Sequence, residues 1–140
     1  MKSTLSRPPL LESPIRRAGI LFAGGPAPAA NAVISTAAAS FLRNNIEVYG
    51  LLHGYAHLVE YAPDHPLVEG RDYITISHKL LRRTRNSQGI LVGTSRSNPG
   101  KDVSSPEHLS NPERTAPLKA VYDGLVSLNI DALISIGGDD

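Results

Sequence analysis

Residues 18–31 read Ala-Gly-Ile-Leu-Phe-Ala-Gly-Gly-Pro-Ala-Pro-Ala-Ala-Asn, and this stretch decides the fold. Its apolar run, Gly19 to Ala23, stops at the pair Gly24-Gly25. A short apolar run bounded by a turn signal has the pattern of a buried strand. Behind it, residues 31–44 are rich in Ala and carry Val33, Ile34, Ala37, Ala38, Phe41 and Leu42 at helical spacing. The helix is expected to start at Asn31, or at Ala30 just before it, and Asn is a good cap there. A strand, a glycine turn and a helix N-terminus make a ready anion site. N–H groups without partners point out of the first helical turn, and the missing Cβ atoms of Gly24 and Gly25 let a phosphate approach. A plain strand-to-helix turn has the same letters.

Outward from this stretch, Asn44-Asn45 ends the helix, and residues 47–52 (Glu-Val-Tyr-Gly-Leu-Leu) read as a second strand. Strand, helix and strand in so short a span form a βαβ unit, which implies a parallel sheet and a right-handed crossover. His53-Gly54-Tyr55 opens a loop. His53 and His57 invite a metal reading, but Gly54 disfavours a continuous helix and no acidic ligand sits at a helpful spacing. Residues 62–72 are turn-rich, and Ile74, Ile76, Leu80 and Leu81 form an apolar set around Ser77, a helix cap. Arg82, Arg83 and Arg85 suit a solvated helix end, where positive charge favours the helix dipole.

Residues 89–92 read as a third short strand, running into Gly93-Thr94-Ser95-Arg96-Ser97-Asn98-Pro99. Residues 100–115 are polar, with turns near Pro99, Pro106 and Pro112. Residues 116–129 carry Leu118, Val121, Tyr122, Leu125, Val126 and Leu128 at helical spacing, which predicts an amphipathic helix. Residues 130–136 (Ile-Asp-Ala-Leu-Ile-Ser-Ile) read as a fourth strand, apolar enough to be buried on both faces. It stops at Gly137-Gly138-Asp139-Asp140. A buried strand and a glycine turn normally lead into a helix, so the expectation is an α/β domain over residues 18–140, incomplete at its C-terminus. Residues 1–17, proline-rich at their start, are expected to form a flexible arm.

The charge is nearly balanced, with 14 Lys and Arg against 13 Asp and Glu, which gives no reason to propose nucleic acid or an anionic membrane as partner. No cysteine is present, which excludes disulfides and thiolate metal sites. No apolar run approaches the roughly 20 residues of a membrane span, and no signal-peptide core is evident. A cytoplasmic protein is the default expectation. Trp is absent and aromatics are scarce, so stacking platforms for bases are not expected.

Three strand ends therefore carry unusual loops: Gly24-Gly25, Thr94-Ser95-Arg96 and residues 137–140. In a parallel sheet, strand C-termini share one edge, and ligands bind there. Glycine loops supply N–H donors, Arg96 supplies a charge that cannot be deprotonated, and Asp139 could hold Mg²⁺, which takes one or two carboxylates plus phosphate oxygens. Together these are the parts of a phosphoryl-transfer site, where catalysis is mostly positioning and charge neutralisation.

These elements resemble the N-terminal portion of the 6-phosphofructokinase family. The matching residues are Gly24-Gly25-Pro26-Ala27-Pro28 with Asn31, His53-Gly54-Tyr55, residues 93–99 and Gly137-Gly138-Asp139-Asp140, in that order from Ala18 to the last residue. The resemblance implies a doubly wound, mostly parallel α/β domain that binds the phosphoryl donor, and a homo-oligomer when full length. It implies that Gly25 and Gly138 contact donor phosphate, that Arg96 neutralises it, and that Asp139 holds Mg²⁺. It assigns Asp140 to the donor site beside them. It places the family's sugar-phosphate residues, its catalytic aspartate in a Thr-Ile-Asp-Asn-Asp motif and a second donor-specificity position after residue 140.

Several positions depart from the ATP-dependent pattern. Pro26 stands where many members have Asp, Ala29 replaces a glycine, and Gln88-Gly89 stands where a glycine pair is usual. Ser35 and Ala39 occupy positions where bacterial ATP enzymes carry effector-binding arginines. Asp140 stands where ATP-dependent members usually have glycine, which resembles the diphosphate-dependent branch. The implied reaction is phosphoryl transfer from diphosphate to fructose 6-phosphate. ATP as donor and a non-catalytic nucleotide-binding module are the alternatives. An NAD-kinase-like protein shares Gly-Gly-Asp but not the other loops, and a dinucleotide-binding fold would want G-x-G-x-x-G at residues 24–29.

Overall fold

The computed structural model describes residues 9–10, 12–25, 28–84 and 87–137. The run after Arg16 forms β1 (Arg17–Ala23), then come α1 (Ala30–Arg43), β2 (Glu47–Leu51), β3 (Tyr73–Thr75), α2 (His78–Thr84), a 3-10 helix (Pro106–Ser110), α3 (Pro112–Ser127) and β4 (Ala132–Gly137). The sheet order is β3-β2-β1-β4. β1 pairs parallel with β2 and with β4, and β2 pairs antiparallel with β3. The result is a mostly parallel α/β sheet covered on both faces.

Side-chain alternation along β1 assigns the two faces. Ile20 and Phe22 pack with Ile34 and Ala38 of α1, Leu81 of α2, and Val48, Ile76 and Val92. Leu21 packs on the opposite face with Leu51, Leu58, Val121 of α3 and Leu128. Because the central strand is covered on both sides, residues 18–22 are all buried, as its continuous apolar run predicts.

The strand's lower end is tied as well. Asp131, just before β4, accepts the backbone N–H groups of Arg16 and Arg17 at 2.8 and 3.1 Å. Arg16 and Arg17 are thus tied into the fold; of the segment expected to form an arm over 1–17, residues 1–8 and Leu11 lie outside the described residues.

Four expectations are corrected. α1 starts at Ala30, one of the two starts expected, so Asn31 lies inside the helix and is not its cap; the capping residue is Ala29, which offers no side-chain bond. The Asn31 amide instead reaches residues 89–91, donating to the Gly89 carbonyl at 2.6 Å and accepting from the Leu91 N–H at 2.7 Å. Those bonds help explain the second correction: residues 89–92 form no strand. Gly89 takes φ 78°, Gly93 N–H closes a turn onto the Ile90 carbonyl, and the segment is pinned where Val92 is buried.

The third correction concerns α3, which starts at Pro112 rather than Ala116. Asn111 Oδ1 accepts from Glu113 and Arg114 N–H, and proline suits the first helical position. Pro117 is consequently carried inside the helix. The fourth is β4. Among the described residues it lies at the sheet's edge and is half-buried: Ile134 and Ile136 pack on one cluster and Leu133 on the other, but none is fully buried. β3 was not foreseen, because three residues are too few to show an alternation.

Gly54 closes the turn after β2 with φ +61°, and a Cβ there would stand 2.8 Å from the Phe22 carbonyl oxygen. Gly54→Ala is therefore expected to destabilise the fold. The left-handed backbone alone costs about 1–2 kcal/mol, and the clash adds to it. Gly25→Ala serves as the contrast: nothing described lies within 4 Å of its Cβ position, and it is not among the positive-φ glycines. Its stability should stay within about 0.5 kcal/mol of wild type. Equilibrium urea unfolding of both variants checks the pair, and equal midpoints would contradict it.

Candidate functional site

At the C-terminal edge of the sheet, three chain segments converge. Gly24, directly after β1, donates its N–H to the Ser95 carbonyl at 2.9 Å, and Thr94 Oγ1 donates back to the Gly24 carbonyl at 2.6 Å. An isolated parallel bridge joins Ala23 to Ser95. The 94–99 loop thus reaches the edge by docking on β1 rather than by ending a strand of its own. β4 brings Gly137 beside Ala23 in register. A Cβ at Gly137 would collide with the Ala23 carbonyl oxygen, so this approach requires glycine.

Between these segments lies a cleft of about 270 Å³, whose lining includes Gly24, Tyr55, Ser95, Arg96, Ser135 and Gly137. Arg96 is exposed, and among the described residues its guanidinium has no hydrogen-bond or ion-pair partner. The loop that carries it is internally tied: Ser97 N–H donates to Ser95 Oγ, and Gly100 N–H to Asn98 Oδ1. A free cation on a braced loop, facing glycine backbone and hydroxyls, is chemically suited to an anion. Gly25 is exposed and nothing described lies within 4 Å of its Cβ position, so packing against the described residues does not require glycine there.

The structure thus brings Gly24 and Arg96 to one cleft, with Gly25 next to it in the chain. Gly138, Asp139 and Asp140 lie outside the described residues; Gly137, which precedes them, lines the cleft. The described lining holds no carboxylate, and no cluster of three or more His, Asp or Glu suited to a metal occurs among the described residues. Sequence reasoning missed Ser135, whose Oγ accepts from the Tyr55 hydroxyl at 2.9 Å inside the cleft. Its signal was a hydroxyl breaking an otherwise apolar strand.

The histidines have other surroundings. The rings of His53 and His57 meet edge to face, 5.7 Å between centroids. His57 Nδ1 lies 3.2 Å from Oδ1 of Asp72, a buried carboxylate that also accepts from Arg71 and from Val68 N–H. The Arg71 hydrogen bond holds the Asp72 carboxyl below the usual aspartate range, against the opposing effect of burial. A lowered folded pKa stabilises the fold above the unfolded value, near 4, and that stability is lost as pH falls through the folded value. Wild type is expected to be more stable than Asp72→Asn at pH 6, with the gap shrinking as pH falls below about 4. Urea midpoints across this range check it; a gap that is constant with pH would contradict it.

The phosphofructokinase family matches residues 17–140. A pyrophosphate–fructose 6-phosphate 1-phosphotransferase of Thermotoga maritima is 36% identical over 126 residues, covering 89% of this chain and 25% of that protein. An ATP-dependent 6-phosphofructokinase of Spirochaeta thermophila is 31% identical over 125 residues, covering 89% and 31%. Among solved structures, Pichia pastoris phosphofructokinase in the T-state aligns with TM-score 0.63 at 26% identity, over 94% of this chain and 12% of that one. Phosphofructokinase from Saccharomyces cerevisiae aligns with TM-score 0.66 at 19% identity, over 88% and 14%, a likeness of fold. The chain spans about a quarter to a third of the length of these curated relatives.

Proposed function

We propose that this chain, which belongs to the phosphofructokinase family, supplies the phosphoryl-donor side of an enzyme that transfers phosphate from diphosphate to the 1-hydroxyl of D-fructose 6-phosphate. The observation that carries the reading is the cleft at the sheet's C-terminal edge, where Arg96, without a partner among the described residues, shares a lining with two glycine strand ends. In this reading Gly25 and Gly138 offer backbone N–H groups to donor phosphate, and Arg96 neutralises charge on the transferring group. Asp140 borders the donor's far end.

Mg²⁺ fits the same reading in one way. The described lining is rich in hydroxyls and N–H groups but holds no carboxylate, and the resemblance assigns the metal to Asp139. When bound, Mg²⁺ neutralises charge on the phosphate oxygens. The base that takes the proton of the sugar hydroxyl is assigned by the resemblance to residues after 140, so residues 1–140 alone are expected to be inactive. A cytoplasmic setting and a homo-oligomeric enzyme belong to the same proposal.

ATP as donor is the second reading, favoured by relatives named for each donor at comparable identity. The test uses the whole polypeptide that carries these residues. Fructose 1,6-bisphosphate formed from fructose 6-phosphate is measured with Mg-diphosphate and with Mg-ATP. Faster turnover with diphosphate, running in both directions, supports the first reading, and preference for ATP supports the second. Donor binding without product from either would leave a non-catalytic nucleotide-binding module.

A further inference from the structure

Residues 89–95 are fastened to the start of the first βα connection at two places. At one, Gly24 N–H donates to the Ser95 carbonyl at 2.9 Å, and Thr94 Oγ1 donates to the Gly24 carbonyl at 2.6 Å. At the other, the Asn31 amide donates to the Gly89 carbonyl at 2.6 Å and accepts from Leu91 N–H at 2.7 Å. Asn31 is the second residue of α1, so its side chain ties the start of that helix to a segment about sixty positions away. Between the two fastenings the segment has little freedom. Val92 is fully buried, its carbonyl accepts from His53 N–H at 2.8 Å, and Gly93 N–H closes onto the Ile90 carbonyl. Gly93 takes φ 64°, and a Cβ there would stand 2.7 Å from His53 Nδ1. The turn at Gly93 therefore passes the placement of residues 89–92 on to Thr94, Ser95 and Arg96. Among the described residues the Arg96 side chain has no partner that would hold it. Where its guanidinium stands thus depends on where its backbone is held. Neither Asn31 nor Thr94 lines the cleft, whereas Gly24, Ser95 and Arg96 do.

We propose that Asn31 and Thr94 are positioning residues: together they clamp residues 89–95 to the glycine turn and to α1, and so set where Arg96 stands relative to donor phosphate. The inference rests on the donor-site reading above and adds to it two residues that act through another. The amide suits the task, because it offers a donor and an acceptor in one plane and satisfies two backbone groups that no strand pairs. Misplacing a catalytic group by about 1 Å can cost on the order of 100-fold. When one fastening is removed the other remains, so a fall of about tenfold is expected for each.

The experiment is steady-state kinetics on the whole polypeptide with fructose 6-phosphate, using Mg-diphosphate and Mg-ATP as donors. Asn31→Ala, Thr94→Val and Thr94→Ser are compared alone and combined with Arg96→Ala. Asn31→Ala and Thr94→Val are each expected to lower kcat about tenfold, with a much smaller change in donor KM. Thr94→Ser, which keeps the hydroxyl, should stay near wild type. Beside Arg96→Ala, either substitution should lower kcat by less than about twofold further, because groups that act through one residue are not additive with it. Unchanged kcat, a rise in KM alone, or a loss that keeps its full size beside Arg96→Ala would overturn the proposal. Partial unfolding lowers the active fraction by the same factor in both backgrounds, so it counts as the last of these. Should Asn31→Ala yield no folded protein, the two Thr94 variants decide by the same criteria. An impaired Arg96→Ala beside unimpaired Asn31→Ala and Thr94→Val sinks this inference alone. Wild type that forms no product from either donor sinks it together with the donor-site reading.

Discussion

Arg96→Ala is expected to lower turnover about 100-fold, corresponding to about 3 kcal/mol of lost transition-state stabilisation, while the Michaelis constant for the donor changes far less. The physical reason is where charge develops. A phosphoryl group in transfer spreads negative charge over its oxygens, and a guanidinium placed beside them acts most strongly at that moment. Arg96 is suited to the role because nothing else uses it: among the described residues its side chain has no partner. The loop keeps its shape through Gly24 N–H to Ser95 O, Thr94 Oγ1 to Gly24 O and Ser97 N–H to Ser95 Oγ. Truncating Arg96 breaks none of these bonds, so thermal unfolding should be unchanged. Arg96→Lys keeps the charge but loses the bidentate fork, and should fall between the two. Steady-state kinetics on the whole polypeptide decide the matter. Unchanged turnover in Arg96→Ala would falsify the assignment and leave Arg96 an ordinary surface residue.

How much of this was legible in the sequence depends on the kind of signal. β1, α1 and β2 were readable because a five-residue apolar run, a glycine pair and an Ala-rich helical repeat each carry their own periodicity. The site's location followed from them, since parallel strands put Gly24 and Gly137 at one edge. What was lost is what depends on contacts far apart in sequence. Asn31 has the chemistry of a cap, yet its amide is taken by residues 89–91, about sixty positions on. Residues 89–92 look like a strand because Ile90, Leu91 and Val92 are apolar, but their burial comes from a pinned turn. In α3, a start at residue 116 would put Pro117 in the first turn; the Asn111-Pro112 pair offers cap and proline together, five residues earlier. The Tyr55–Ser135 bond joins residues 80 positions apart. No local pattern announces it beyond a single hydroxyl in an apolar strand.

Asp140→Gly is expected to shift donor preference from diphosphate toward ATP, by the largest factor of any change considered. Asp140 lies three residues after Gly137, which lines the cleft. The resemblance assigns Asp140 to the donor site. The family resemblance implies that a glycine at this position leaves room for the α-phosphate of ATP. A carboxylate in that space would be a like charge beside it. Two unit charges about 4 Å apart at an effective dielectric near 20 repel by roughly 4 kcal/mol, or nearly a thousandfold in affinity, and crowding adds to this. Diphosphate has no third phosphate to place there and escapes both penalties. In Asp140→Gly, Mg-ATP should therefore bind up to roughly a thousandfold more tightly, with a much smaller change for Mg-diphosphate. Raising ionic strength should narrow the wild-type discrimination against ATP, since repulsion between partly exposed charges is screened. The measurement is a comparison of kcat/KM for the two donors, wild type against Asp140→Gly, alone and with a change at the second specificity position that the resemblance places after residue 140. Wild type that already prefers ATP, or a variant that gains no ATP binding in either background, would show that Asp140 does not select the donor.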